Sequence, residues 1–535
     1  MAWPDGSGAA KRRELLFGTR FVPCYSERPP TIDAMFRAAV ARRPDGEAVV
    51  DGERRFTYRD LDAQVTRVAG ALLARGLRPG DRMAIILHNR AEFLLALLAA
   101  ARAGIVAVPV GAREQRPGIA AILQDCGASG LVFEASLAER MPSAEEVPSL
   151  ALRLSVGGGA EGNQSLEALL DGESDAPVAT APQREEDTAV MLYTSGTTGK
   201  PKGALLAHVN IVHSAMHFEE CWDYGEGERT VLAVPASHVT GLVAVVMSMI
   251  RVAGCIVLMP AFDVDGFLTL ASRERMTTTI LVPAMYNLCL LRGDFTRYDL
   301  SAWRIGGFGG APMPEATVEA MAQRLPDLHL LNAYGATECA TIISVVPIGH
   351  TRACLDSVGM CVPCGDLRIV DEQGRECPPG VSGEVWIRGP MTIRGYWNRE
   401  EATRDSFVDG YWRSGDIGAL DAQGYLRLFD RKNDVINRGG HKIYSVEVEN
   451  LLVRHPDVVE AAVVAHPDPV LGEKIHVFVI SKSGALTEGE VRDFCRASLA
   501  EYKVPDYVTM LGESLPRNAN GKVTKRVLRD QVAGA

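Results

Sequence analysis

Ten consecutive residues, Thr194-Ser195-Gly196-Thr197-Thr198-Gly199-Lys200-Pro201-Lys202-Gly203, contain no large apolar side chain. They follow Thr188-Ala-Val-Met-Leu-Tyr193, an apolar run of strand length. A buried strand feeding a segment of glycines, hydroxyls and lysines predicts a phosphate cradle. Glycine lets backbone N–H groups approach the oxygens, and hydroxyls and ammonium groups donate further. The segment is not the common P-loop, because Pro201 stands where Gly-x-x-x-x-Gly-Lys requires Ser or Thr.

A chain of 535 residues exceeds one hydrophobic core and predicts at least two domains. Its net charge of −11 disfavours a general binder of nucleic acid or anionic membrane, so an anionic ligand must meet a local cluster of donors. Eleven cysteines, with no apolar stretch behind Lys11-Arg-Arg13, predict a reduced, cytoplasmic protein without a secretory leader. The longest apolar run, Val239 to Pro260, holds Arg251 and Gly254, and reads as a buried helix followed by a buried strand. No stable membrane insertion is expected, and a homodimer is left open.

Periodicity supplies the fold class, α/β. Thr57 caps a helix to Arg75, with Asp60 three residues on and Leu61, Val65, Val68 and Leu72 on one face. Strand 83–87, helix 91–103 and strand 105–110 follow without tight hairpins, predicting parallel-type sheets covered by helices. The alternation returns in strands 230–234, 255–259, 278–282 and 303–308. From about Val358, short strand-like pieces separated by Gly, Pro and Asp predict a β-rich subdomain, 358–430. A large N-terminal domain, 1–430, is expected to precede a small mobile α+β domain, 431–535, with helix 446–454 and strand 461–465. Segment 155–183 reads as a variable or disordered loop.

Further stretches complete a pattern. They are Gly309-Gly310-Ala311-Pro312, Asn332-Ala333-Tyr334-Gly335-Ala336-Thr337-Glu338, Tyr411-Trp-Arg-Ser-Gly-Asp416, Asp430-Arg431 and Pro516-Arg-Asn-Ala-Asn-Gly-Lys522. In this order, behind the phosphate segment, they resemble the adenylate-forming (AMP-binding) superfamily, in its acyl-CoA synthetase branch, from about Phe56 to Arg529. The resemblance implies ATP, Mg²⁺ and CoA as cofactor and co-substrates. It implies that Thr194, Ser195, Gly196, Thr197, Thr198, Gly199 and Lys202 surround the phosphates. Gly310, Ala311, Pro312, Asn332, Ala333, Tyr334 and Gly335 would line the adenine, with Tyr334 stacked on it. Thr337 would touch the α-phosphate, Glu338 would hold Mg²⁺, Asp416 and Arg431 would take the ribose, and Lys522 would be the catalytic lysine. His238 would gate an acyl pocket walled by Val239, Leu242, Met285, Gly309, Gly335, Ala336 and Ile342. Asn433 would be the hinge. Gly439 and Gly440 would line a thiol tunnel, with Arg438, Lys442, Lys474 and Lys503 as a basic patch for CoA.

The implied chemistry is a two-step ligation. A carboxylate attacks the α-phosphate of ATP, forming acyl-AMP and releasing pyrophosphate; a thiol then takes the acyl group and AMP leaves. Gly335, where acetate-type relatives carry tryptophan, implies an open pocket, for a medium- or long-chain fatty acid or an aromatic acid. No arginine stands ready for a second carboxylate. A ligase loading a phosphopantetheinyl carrier protein remains the alternative, with a carrier expected to be free-standing rather than attached; a luciferase-like oxygenase and a non-catalytic nucleotide scaffold are further rivals. Cys354, Cys361, Cys364 and Cys377 include a Cys-x-x-Cys pair, but their surroundings match the superfamily's Gly-x-Pro turn rather than a zinc site. Lys522→Ala is expected to slow acyl-AMP formation by about two orders of magnitude or more, the typical cost of one preorganised donor. Thioester formation from supplied acyl-AMP should largely survive, and equal loss of both half-reactions would contradict the role.

Overall fold

The computed structural model describes residues 8–159, 163–172, 182–195, 201–517 and 523–533. It divides into two compact units, one of residues 1–367, 387–413 and 424–426, the other of residues 368–386, 414–423 and 427–535.

The first unit is built on two large sheets. The seven-stranded sheet has the spatial order Pro201–Ala207, Thr188–Ser195, Val106–Pro109, Arg82–Ile86, Gly130–Glu134, Leu152–Val156 and Gln164–Ser165. All its pairings are parallel except the first. The nine-stranded sheet runs Met360–Cys361, Thr341–Val345, His329–Ala336, Ile305–Gly309, Thr278–Leu281, Arg229–Leu232, Cys255–Leu258, Glu47–Asp51 and Arg54–Thr57. Its centre is parallel and its margins are antiparallel. The expected α/β class is therefore observed. Helix Tyr58–Ala74 carries the capping box that Thr57 and Asp60 predict. Helix Ala91–Ala103 is buried along its whole length and stops at Gly104, which takes the left-handed conformation.

Three features depart from the sequence reading. An N-terminal hairpin, Lys11–Leu16 with Arg20–Tyr25, was not foreseen. The run after Val239 opens as a π-helix, Thr240–Met247, before the short helix Ser248–Arg251 and strand Cys255–Leu258. Part of the segment read as a variable loop is ordered, as strands Leu152–Val156 and Gln164–Ser165 and helix Leu166–Gly172. The remainder, at 160–162 and 173–181, lies outside the described residues. Among the described residues no helix is long and apolar enough to cross a membrane.

The second unit contains a five-stranded sheet: His441–Ile443, Ile436–Arg438, Gly472–Ser481 and Val458–Asp468, with Tyr507–Leu511 parallel to Gly472–Ser481. Strand alternation sends Val463 into one apolar cluster with Val448 and Leu452, and Ala462 and Val464 into another with Leu528 and Val532. Helices Ser445–Leu452 and Lys525–Ala533 supply those partners.

Helix His208–Cys221 of the first unit is buried on every side and holds three histidines. His208 Nδ1 accepts the Ile32 N–H, while Nε2 faces Gln183 Oε1 at 3.0 Å. His213 Nε2 accepts the Tyr25 N–H, and its Nδ1 lies 2.9 Å from the Val209 carbonyl. Each ring therefore uses one acceptor and one donor, which requires the neutral form. His217 finds no hydrogen-bond partner for either nitrogen among the described residues. Burial pushes His208 and His213 down to about 4 and holds His217 well below its usual value. The unfolded chain binds these protons near pH 6.5 and the folded chain does not, so stability is full above that value and falls as pH drops toward 4. Thermal melts should lose several degrees between pH 7 and pH 5. His217→Phe should flatten that slope, and a pH-independent melt in the parent protein would refute the account.

Candidate active site

The ends of the phosphate segment lie in paired strands. Thr188–Ser195 pairs antiparallel with Pro201–Ala207 up to the pairs Thr194 with Lys202 and Ser195 with Pro201. Thr194, Ser195 and Lys202 thus belong to the strands, where the sequence reading placed them in a loop. Gly196, Thr197, Thr198, Gly199 and Lys200 lie outside the described residues.

The second motif also extends a strand. His329–Ala336 runs through Asn332, Ala333, Tyr334, Gly335 and Ala336, because its outer edge pairs with Thr341–Val345. Thr337 and Glu338 follow in a single 3₁₀ turn, Thr337–Cys339. Gly309 pairs with Ala333 at the end of strand Ile305–Gly309, so Gly310, Ala311 and Pro312 leave the sheet beside the Tyr334 segment. The carboxyl ends of parallel strands, where ligand crevices form in open α/β sheets, carry both motifs.

A strap formed by residues 392–397 ties the hairpin to the Glu338 turn. The Ile393 N–H donates to the Glu338 carbonyl at 2.9 Å. Leu205 N–H donates to the Gly395 carbonyl at 3.1 Å, and Trp397 N–H to the Gly203 carbonyl at 2.8 Å. Ala204 and Tyr396 form an antiparallel bridge between them. The Tyr396 hydroxyl donates to Glu338 Oε1 at 2.9 Å, and Lys202 Nζ stands 5.2 Å from the Tyr396 ring centre. Burial, then the neighbouring carboxylate, pushes the Tyr396 phenol far above its usual range, so it stays a donor. Sequence reasoning missed Tyr396; an aromatic residue among Gly, Arg and Trp carries no signal until the strap is seen.

A second missed residue is Asn89, 4% exposed. It follows strand Arg82–Ile86, and its Nδ2 lies 3.0 Å from each of the Leu232, Val234 and Met259 carbonyls. Its Oδ1 accepts the Ala236 N–H at 2.8 Å. This one amide pins the loop that carries His238. There the His238 N–H donates to the Pro235 carbonyl at 3.1 Å, and Nδ1 faces Thr240 Oγ1 at 3.3 Å. Val239, Leu242, Met285 and Ile342 are buried, and the π-helix holding Leu242 packs against the strand holding Ile342.

Gly335 has a backbone reason for being glycine. It sits at a register shift opposite Ile342, and a Cβ there would fall 1.5 Å from the Thr341 carbonyl oxygen. Its missing side chain follows from the bulge, so it does not by itself measure the acyl pocket. Beyond the turn, Ala340 and Thr341 have φ of 45° and 112°, a strained pair next to Glu338.

In the second unit Asp416, 6% exposed, meets Arg431 Nε at 2.7 Å. The two residues expected at a ribose are therefore together. The Asn433 carbonyl accepts a hydrogen bond from Arg529 at 2.7 Å. Gly439 and Gly440, with φ of 58° and 91°, form the two-residue turn between Ile436–Arg438 and His441–Ile443. Paired left-handed residues suit that hairpin, and the turn alone accounts for both glycines. The expected basic patch is not bare. Arg438 pairs with Asp506 at 2.8 Å, Lys442 with Glu372 at 2.8 Å, Lys474 with Asp468 at 2.7 Å and Lys503 with Glu447 at 2.7 Å. Lys522 lies outside the described residues.

Among the described residues no three His, Cys, Asp or Glu side chains converge as a metal cage. Mg²⁺ needs no such cage: it takes one or two carboxylates plus substrate phosphates and waters. Glu338, a hard oxygen donor already oriented by Tyr396, fits that use. A cavity of 360 Å³ opens around Arg82, Val106, Thr188 and Arg394, and it is bordered also by Met191, by Leu205 and by Trp397 of the strap.

Gly335→Ala is expected to force Thr341–Val345 outward, weakening ATP binding at least tenfold and lowering the melting temperature. Unchanged binding would mean that the strand shifts freely.

The geometry agrees with the comparisons. The AMP-binding enzyme family matches residues 36–397, and the AMP-binding enzyme C-terminal domain matches residues 447–522. The chain is similar to a feruloyl-CoA synthase of Amycolatopsis sp, 34% identical over 91% of this chain and 96% of the relative. It is similar to the long-chain-fatty-acid–CoA ligase FadD13 of Mycobacterium tuberculosis, 32% identical over 93% and 97%. Among solved structures it resembles the o-succinylbenzoate coenzyme A synthetase of Bacillus subtilis in complex with ATP and magnesium ion, with TM-score 0.83, 28% identity and coverage of 95% and 100%. With family matches over both parts and relatives of this identity along nearly the whole chain, the protein belongs to the AMP-binding enzyme family.

Proposed function

We propose that the protein is an ATP-dependent acid–CoA ligase for an apolar monocarboxylic acid, aromatic or long-chain aliphatic. The observation that carries this is the strap: backbone bonds from residues 393–397 hold the phosphate hairpin and the Glu338 turn side by side.

In this reading Thr194, Ser195 and Lys202, with residues 196–199, receive the phosphates. Tyr334 and residues 309–312 and 332–335 line the adenine. Thr337 meets the α-phosphate, and Glu338 holds Mg²⁺, which supplies charge neutralisation on the phosphate oxygens when bound. Asp416 accepts from the ribose hydroxyls, with Arg431 fixing its orientation. The acid's carboxylate oxygen bonds to the α-phosphorus as the bond to pyrophosphate breaks. Lys522 stabilises the charge that develops there. Then the thiol sulfur of CoA bonds to the acyl carbon, its proton is lost, and the carbon–oxygen bond to AMP breaks. Positioning and electrostatics carry both steps, since the first brings an anion to a polyanion.

The apolar walls Val239, Leu242, Met285 and Ile342 support an apolar acid, and His238 guards their entrance. Both kinds of acid occur among the relatives, in the names feruloyl-CoA synthase and long-chain-fatty-acid–CoA ligase. The residues from Arg431 onward act as the mobile part, pivoting at Asn433. For CoA, exposed Lys442 can leave Glu372, a weak surface pair, at little cost; Arg438 is held more firmly by Asp506. Eleven free cysteines support a reducing, cytoplasmic setting.

Pyrophosphate release across a panel of acids, with and without CoA, tests the reading. Ferulate-like and long aliphatic acids should release pyrophosphate and yield AMP, with CoA raising turnover at least tenfold. No AMP from any acid would overturn the reading, and turnover with a phosphopantetheinyl carrier but not CoA would replace the thiol acceptor.

A further inference from the structure

Tyr396 stands between two opposite charges. Strap and hairpin meet in an antiparallel bridge at Ala204, so side chains two residues apart on the hairpin share a face. Lys202 is two residues before Ala204, and its ammonium lies over the Tyr396 ring. The hydroxyl at the far edge of the same ring holds Glu338. Ala204, fully buried and small, leaves room for the ring opposite it. Tyr396 is itself 8% exposed, packs against Phe407 with ring centres 5.9 Å apart, and donates its backbone N–H to Thr403 Oγ1 at 3.0 Å. Backbone bonds on both flanks, at Gly395 and Trp397, keep the ring from swinging away.

An ammonium on the strand and a carboxylate on the neighbouring turn would otherwise attract each other. Among the described residues Lys202 makes no ion pair; its recorded partner is the aromatic face. A cation on a π-face keeps its N–H groups free to donate, whereas a direct ion pair would consume them and blunt the carboxylate as well. We infer that Tyr396 is a positioning residue for nucleotide and metal binding: its hydroxyl aims Glu338, its ring carries Lys202, and the spacing stops the two from neutralising each other before ATP arrives. The inference rests on the roles given above to Lys202 and Glu338.

Two substitutions separate the hydroxyl from the ring. Tyr396→Phe keeps the ring and its packing; Tyr396→Leu removes both. ATP binding is followed by calorimetry, first in EDTA and then as Mg²⁺ is titrated, alongside the melting temperature. For Tyr396→Phe, metal-free ATP affinity should stay within twofold of wild type. The Mg²⁺ concentration giving half-maximal tightening of ATP should rise about tenfold, the lower range for losing a partner of a metal ligand. For Tyr396→Leu, metal-free affinity should also fall, by about fivefold. A Tyr396→Phe protein with the wild-type Mg²⁺ dependence overturns the inference, and this variant decides alone if Tyr396→Leu does not fold. Wild-type protein that binds no ATP would overturn the functional reading, and this inference with it; normal wild-type binding with an unshifted variant overturns this inference alone.

Discussion

Antiparallel hydrogen bonding between residues 393–397 and the strand Pro201–Ala207 is the constraint on which the candidate site depends. The two strands that flank residues 196–200 are paired up to Ser195 and Pro201, and the outer one is fixed by the strap. The same strap takes the Glu338 carbonyl, so one short segment sets the spacing of two motifs that are more than a hundred residues apart in sequence. The strap is itself anchored from behind: Asn210 Nδ2 reaches the Pro390 and Thr392 carbonyls, and Arg20 reaches Thr392. Rigidity therefore passes from a fully buried helix into a site whose own residues are half exposed.

Buried polar groups do the joining elsewhere in the first unit. Asn89 links the end of one sheet's strand to three carbonyls of the other sheet's strand ends, with all its hydrogen-bonding capacity used inward. Arg102, 1% exposed, joins three helices through Asp33, Asp62 and Thr66. Such groups are expensive to bury and stable only when every partner is present. They specify one arrangement of the sheets, which apolar contacts alone would leave looser. The neutral histidines of helix His208–Cys221 follow the same rule, with acid sensitivity as its consequence.

The second unit follows a different economy. Four of its cations, Arg438, Lys442, Lys474 and Lys503, each meet a carboxylate, so the patch they form is neutralised rather than bare. For an anionic thiol carrier such as CoA, recognition then means exchanging one partner for another. Exposed pairs such as Lys442 with Glu372 exchange easily, while the half-buried Arg438 with Asp506 serves the fold. The glycines at 439 and 440 illustrate how a motif can have two explanations: the hairpin demands them whether or not a pantetheine arm passes.

Much was legible in the residues alone. Helix periodicity and the Thr57 cap are local facts, encoded within one or two turns, and the helices at 58–74 and 91–103 appear where the pattern places them. The order of the hydroxyl-, glycine- and carboxylate-bearing motifs identified the family, because that chemistry requires particular residue types whatever their surroundings. Pairing was not legible. That Thr194, Ser195 and Lys202 lie in paired strands, that Asn332–Ala336 continues a strand, that Gly335 answers to the Thr341 carbonyl and that Arg438 answers to Asp506 all depend on atoms distant in sequence. So does Tyr396, whose role exists only where Lys202 and Glu338 reach one ring. Residue chemistry and short-range periodicity are written along the chain; which partner neutralises, orients or crowds a given group is a property of three-dimensional proximity, and only the folded arrangement decides it.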